Sequence, residues 1–244
     1  MIPLEHDSLE LALASRLDEG RRAWFDEAVA RVSATPSAIA TVFPAVGRGV
    51  GRGPLSADAD PATSWSVDDA ARTLLLVALG EAADSELELL YRHGDGRERR
   101  AVLRSLAFLD VDPGLGLRLI DDGLRTNDVG LIAAAMGPFA AARLDDAAYA
   151  QGVLKCVFVG VPLSGIAGTQ DRATPQLAAM LGRYVHERVA AGRTVPEDVW
   201  PLIDRHPPAA ELEAIEAELQ SPHDDRRRAA EAALAGRPPA PTNP

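Results

Sequence analysis

Of the 25 basic residues in this 244-residue chain, Lys155 is the only lysine and the rest are arginines. Where arginine serves wherever a cation is wanted, a retained lysine points to what lysine alone supplies: a compact ammonium, or an amine whose pKa shifts readily on burial. Its neighbours Val153, Leu154, Cys156, Val157, Phe158 and Val159 are apolar, so burial is expected, and a buried ammonium must be paired or neutral. Gln151 precedes it by four residues and shares its helical face. Two readings follow. In one, Lys155 and Gln151 face a pocket in which the amine anchors an anion or acts as a base. In the other, Lys155 is a structural ion pair with Asp171, Glu187 or another carboxylate, or a stem that carries its amine to the surface.

Other groups with chemical potential are dispersed. His186 stands beside Glu187 at the edge of a helical face made by Leu177, Met180, Leu181 and Tyr184, a position that suits a hydrogen-bonded structural histidine. Cys156 has no histidine near it in sequence to activate its thiol and reads as a small buried filler. The run Gly47 to Gly53, carrying Arg48 and Arg52, has the glycines and guanidinium groups that bind phosphate. No strand precedes it and no Gly-Lys-Ser/Thr ending follows, which argues against a nucleotide P-loop and leaves room for an anion-binding loop that folds over a pocket. Arg125 and Asn127 lie at a junction between helices, where Asn127 is placed to cap. No His-x-x-x-His, no carboxylate and histidine metal pattern and no Gly-x-Ser-x-Gly elbow occurs, so neither a metal site nor a cofactor is expected.

The elements that must position these groups read as helices. Alanine and leucine dominate, aromatics make up 5%, and strand-favouring residues are scarce. Leu9, Leu13 and Leu17, then Trp24, Phe25, Val29 and Val32, mark one or two N-terminal helices around Gly20 that would pack as a hairpin. Pro36 to Ser66 is broken by prolines and glycines and reads as a loop, most strongly over 44–66. Helical order returns at Ser66, an N-cap with Asp69 three residues on. Amphipathic helices follow, carrying Leu74 and Leu75, then Leu87 to Tyr91, Val102 to Leu109, Leu115 to Ile120 and Val129 to Ala135, joined by short connections that force antiparallel neighbours. Residues 209–235 repeat the scheme. The expectation is an all-α protein, its antiparallel helix pairs stacked as a short HEAT-like α-solenoid, with an irregular orthogonal helix bundle as the alternative. One domain spans 1–236, and the proline-rich 237–244 reads as a disordered tail.

A net charge of −11 disfavours nucleic acid and anionic membrane surfaces as partners. The basic run Arg226, Arg227 and Arg228 is flanked by acids and reads as a solvated helix face. A single cysteine rules out an intrachain disulfide and fits a reducing, cytoplasmic setting. No apolar run approaches the roughly 18 residues of a transmembrane helix, and the N-terminus, with Glu5 and Asp7, lacks a secretory pattern.

From about Phe43 to Leu202 the sequence resembles the EboA family, helical proteins of ebo-type metabolite gene clusters. The resemblance is carried by Arg125-Thr126-Asn127 before an apolar helix, Gln151-Gly152-Val153-Leu154-Lys155, Arg172 with Leu177 and Tyr184, His186-Glu187-Arg188, Ala191-Gly192-Arg193, and Pro196 through Trp200. It departs from the family pattern at Ala150, where the family has Asn, and at Gly137-Pro138-Phe139-Ala140, where it has Asn-Pro-Tyr-Pro. The resemblance implies an accessory protein of secondary metabolism that binds or helps traffic a small-molecule precursor, with a small metabolite and other proteins of the same cluster as partners. The ligand-binding candidates are then Lys155, Gln151, Arg125, Asn127, Arg172, His186, Glu187, Arg48 and Arg52. The alternatives are an enzyme of the same pathway, with Lys155 as base or anion anchor, and a helical scaffold that only docks protein.

Overall fold

The computed structural model describes residues 6–56 and 63–238, and these form fourteen α-helices and several 3-10 turns, with no strand. The all-helical class read from composition and periodicity is the class observed. The chain packs as two compact units.

The first unit holds the chain up to Leu144 together with residues 159–161 and 165–167. It begins with α1 (His6–Ala14) and α2 (Glu19–Ala34). The break between them falls at Asp18, whose carboxylate accepts the Arg21 N–H as an N-cap, rather than at Gly20. α1 packs on α4, and α2 packs on α3 and α4.

Helix α3 (Ile39–Gly49) corrects the expectation of a loop beginning at 36 or 44: the chain is helical through Pro44, and Ile39, Val42, Phe43 and Val46 bury one face. The glycines that follow serve packing. A Cβ on Gly49 would lie 2.3 Å from the Trp24 ring, so the indole sits directly on backbone that only glycine leaves bare. Gly51 turns the chain at a φ of 93°, a conformation that side chains with a Cβ resist. The true loop starts here, and its base is pinned where Leu55 donates to Trp65 O at 2.8 Å and Val67 donates to Gly53 O at 2.8 Å.

Beyond the loop come α4 (Val67–Val77), α5 (Ala83–His93), α6 (Gly96–Ser105), α7 (Pro113–Arg125), α8 (Val129–Ala135) and α9 (Pro138–Arg143). Their starts are set by caps: Ser66 with Asp69 and Asp95 with Glu98 form reciprocal capping boxes, and Asp112 caps α7 ahead of Pro113. Asn127 is not the cap of α8; Asp128 is, accepting the Leu131 N–H at 3.0 Å. Alternate helices are neighbours, since α4 packs on α6 and α6 on α8, while α3 packs on α5, α5 on α7 and α7 on α9.

The second unit contains α10 (Asp146–Val159) as far as Phe158, α11 (Pro175–Ala190), α12 (Trp200–Ile203), α13 (Ala209–Ala217) and α14 (Asp224–Ala235). The face of α11 made by Leu177, Met180, Leu181 and Tyr184 is buried, and α12, α13 and α14 pack on this helix. The basic run of α14 is partly engaged: Arg226 Nε donates to Ala190 O at 2.8 Å and Arg227 Nη1 to Ser221 O at 2.7 Å, satisfying carbonyls of the kind that helix ends leave open. Of the tail read as disordered, 239–244 lie outside the described residues. Arg237 is held, its Nη2 lying 2.7 Å from Asp204 and its guanidinium 5.5 Å from the Trp200 ring centroid.

Candidate functional site

Two adjacent carboxylates at the start of α4, Asp68 and Asp69, are fully buried. Buried charges require partners; α6 supplies Arg97, Arg100 and Arg104 from one face, and α4 supplies Arg72. Asp69 receives Arg104 Nη1 at 2.6 Å and Arg100 through Nε at 3.1 Å and Nη2 at 3.0 Å. Asp68 receives Arg72 Nη1 at 2.7 Å, the Ser66 hydroxyl at 2.8 Å and Arg97 Nη1 at 3.4 Å. Arg72, itself buried, also donates its Nε–H to Phe43 O at 3.2 Å. The network therefore ties α3, α4 and α6 together through charge-assisted bonds.

Burial alone would push the Asp68 carboxyl up, but the hydrogen bonds from Ser66 and Arg72 and the charges of Arg72 and Arg97 outweigh it and hold the group below its ordinary 3.8. A carboxyl depressed by folding adds stability above its unfolded pKa, and that contribution is lost as pH falls through the lower folded value. Stability should therefore decline below about pH 4, and the decline should be shallower in Asp68→Asn despite its lower stability at neutral pH. Thermal melts of both proteins across that range check this; equal acid slopes would refute it.

Arg104 connects this network to a cavity of about 430 Å³. Leu103 and Leu106 come from α6 and its C-terminal turn, Ile120 from α7, Ala133, Ala134 and Ala135 from α8, and Pro138, Phe139 and Ala140 from α9. Trp65, delivered by the pinned base of the loop, meets Phe108 edge-on with ring centroids 5.9 Å apart. The Arg104 guanidinium lies 5.1 Å from the Trp65 ring centroid, and its Nη2 donates to Thr63 O at 3.4 Å. Exposed Ala107 and the half-exposed His6 also border the space. Burial pulls the Arg104 guanidinium down to about 10; Asp69 and Asp68 push against this and Arg100 adds to it. It stays charged at neutral pH.

A pocket of this size, apolar with few polar groups, is of the kind that holds small organic molecules. The small side chains of Ala133 to Ala135 leave the room, and the aromatic rings supply flat walls.

A second concavity of about 380 Å³ lies between α5 and α7. There Tyr91 donates its hydroxyl proton to Asp122 at 2.9 Å and accepts from Arg99 at 3.0 Å, with the guanidinium stacked 4.5 Å from its ring centroid. Burial is the main cause that raises the Tyr91 phenol to about 12. It remains a neutral structural donor.

A family model described as metabolite traffic protein EboA matches residues 6–204. The chain belongs to the EboA family. The match is wider than the stretch 43–202 that carries the resemblance in sequence, and it takes in every residue that borders the cavity. Comparison with curated proteins and with solved structures found no match. The region of the EboA family match ends at Asp204, so α13 and α14 lie beyond it.

None of the nine residues singled out in the sequence borders the cavity. Gln151 is exposed and Lys155 half-exposed, and Phe158, expected to be buried beside them, is 75% exposed. Arg172 pairs with Asp146 at 2.7 Å and stacks 4.3 Å from the Tyr149 ring centroid. His186 lies 3.6 Å from Glu218, and Glu187 is exposed. Arg125 pairs with Asp121 at 2.7 Å on the surface of α7. Arg48 borders an open hollow with Trp24, and Arg52 lies over Gly47, where a Cβ would meet its Nε at 2.5 Å. Of these groups, Arg125, Arg172 and His186 stand in three separate pairs with carboxylates. Cys156 is buried, and burial raises its thiol to about 12, which suits the filler expected.

Proposed function

We propose that this protein is a non-catalytic accessory protein of a metabolite pathway that holds a small, largely apolar precursor in the cavity beneath Trp65, in a helical scaffold stacked in HEAT-like fashion. The carrying observation is the cavity itself: about 430 Å³ of space walled by aliphatic and aromatic side chains in a chain whose family is described as a metabolite traffic protein. The alternation of neighbours from α3 to α9 supports the stacked arrangement, which builds concave surfaces readily. No helix among the described residues is long and apolar enough to cross a membrane. In this reading the protein handles its precursor on the cytoplasmic side and passes it to other proteins of the same cluster.

Binding, rather than turnover, is favoured by the wall chemistry. Enzymes bring an acid, base or nucleophile within hydrogen-bond reach of the reacting atom. Here the bordering groups besides Arg104 and His6 are hydrocarbon, aromatic or small.

Ala107→Trp should plug the exposed border of the cavity without overpacking the core. Chromatographic fractions of pathway extracts would be titrated against wild type and variant by calorimetry. Wild type should bind at least one low-molecular-weight component, and the plugged variant should lose about 10-fold or more in affinity, roughly 1.4 kcal/mol. Equal binding by the two proteins would remove the cavity from the function.

A further inference from the structure

The reading of the cavity as a metabolite site leaves open what kind of molecule it selects, and the answer turns on Arg104. In an otherwise apolar wall, a few fixed polar groups set orientation and specificity. Arg104 is such a group, with its side chain 6% exposed. Its one carboxylate partner is not its own, because Asp69 is divided between Arg104 at 2.6 Å and Arg100 at 2.9 Å. Two guanidinium groups thus share one carboxylate. Asp69 also lies in the first turn of α4, where the positive end of the helix draws on its charge.

Resting on that metabolite-site reading, we infer that the cavity selects an amphipathic monoanion: an aromatic or aliphatic body, lodged among Trp65, Phe108 and Phe139, that ends in a carboxylate seated on Arg104. Arg104 Nη1 is committed to Asp69 at 2.6 Å, whereas Nη2 makes only a long bond of 3.4 Å to Thr63 O. A ligand carboxylate would complete this donor set. The same conclusion follows from charge. A buried guanidinium whose pKa is pulled down by its surroundings gains when an anion arrives. Dehydrating a carboxylate opposes entry, and charge-assisted hydrogen bonds to a planar guanidinium are the interactions that offset it. A neutral analogue of equal shape fills the cavity but leaves Arg104 as it is.

The test uses the full chain and a matched pair of probes, 2-naphthoate and 2-naphthol, titrated by calorimetry at about pH 7.5, where the first is an anion and the second neutral. Wild type should bind 2-naphthoate about 10-fold or more tighter than 2-naphthol. Arg104→Gln should bring the two affinities together by weakening 2-naphthoate, Arg104→Lys should retain part of the preference, and Ala107→Trp should weaken both probes. If both probes bind equally, or 2-naphthol binds tighter, and Ala107→Trp still removes both, the cavity stands and the anion selectivity is wrong. If neither probe binds, or binding ignores Ala107→Trp, the cavity reading fails and takes the inference with it. The wild-type comparison decides selectivity even if an Arg104 variant does not fold.

Discussion

Arg72→Met should lower the unfolding free energy by about 3–5 kcal/mol, the range for breaking one side of a buried ion pair. Arg72 is among the largest fully buried side chains, and it serves three oxygens at once: Asp68 at 2.7 Å, Phe43 O at 3.2 Å and Glu98 at 3.9 Å. Methionine keeps much of the volume but removes every donor. Asp68 is then left buried with the Ser66 hydroxyl and the partly exposed Arg97, and the Phe43 carbonyl loses its donor from α4. The loss comes from the orphaned groups rather than from the pair's net worth. The double variant Asp68→Leu/Arg72→Met should therefore recover most of the stability, because it removes the charge that the single variant strands. Urea unfolding followed by far-ultraviolet circular dichroism reads both. A single-variant loss under about 1 kcal/mol would mean that water reaches Asp68, against its burial; no recovery in the double variant would mean that the arginine acts chiefly through packing on Phe43, whose ring centroid lies 5.5 Å from its guanidinium.

The same network shows what was legible in sequence and what was not. Ser66 with Asp69 announces the start of α4 because capping is local chemistry, written within four residues. The buried face of α11 at Leu177, Met180, Leu181 and Tyr184 was readable from helical spacing, whereas the helix expected over Val102 to Leu109 ends at Ser105. Helix α3 was obscured by Pro44 and its trailing glycines, although Ile39, Val42, Phe43 and Val46 keep helical spacing. Punctuation residues were weighed above periodicity there, and burial of that face won.

The cavity could not be read from spacing, since its walls come from position 65, from 103 to 108 and from 133 to 140, and only packing brings these together. One signal did exist. Arg97, Arg100 and Arg104 recur at helical spacing on one face of α6, and such a run of cations calls for carboxylates opposite it, two of which stand together at Asp68 and Asp69. Lys155 drew attention by rarity of type, whereas Arg104 is set apart from Arg97 and Arg100 by its burial. Rarity is a property of composition; burial is a property of the fold.

Position also governs the C-terminal part of the EboA family match, and Trp200→Ala should cost about 3–5 kcal/mol there, the range for emptying a buried aromatic site. α12 is only four residues long, with Pro201 in its first turn, far below the length at which a helix holds itself in water. What holds it is burial: Trp200, Leu202 and Ile203 are at most 2% exposed, and α12 packs on α11. Trp200 also carries the stacked Arg237, whose pairing with Asp204 closes the end of the described chain over this helix. Truncation to alanine removes the anchor and the stacking surface together, so the damage should spread along residues 196–204 rather than stay at one site. Near-ultraviolet dichroism and limited proteolysis would report it as lost indole asymmetry and new cleavage in that stretch, with the urea midpoint falling in parallel. Arg237→Ala, which leaves Trp200 in place, should cost less than about 1 kcal/mol, as exposed or half-exposed ion pairs do. Equal losses from the two variants would shift the anchoring role from the buried ring to the arginine that covers it.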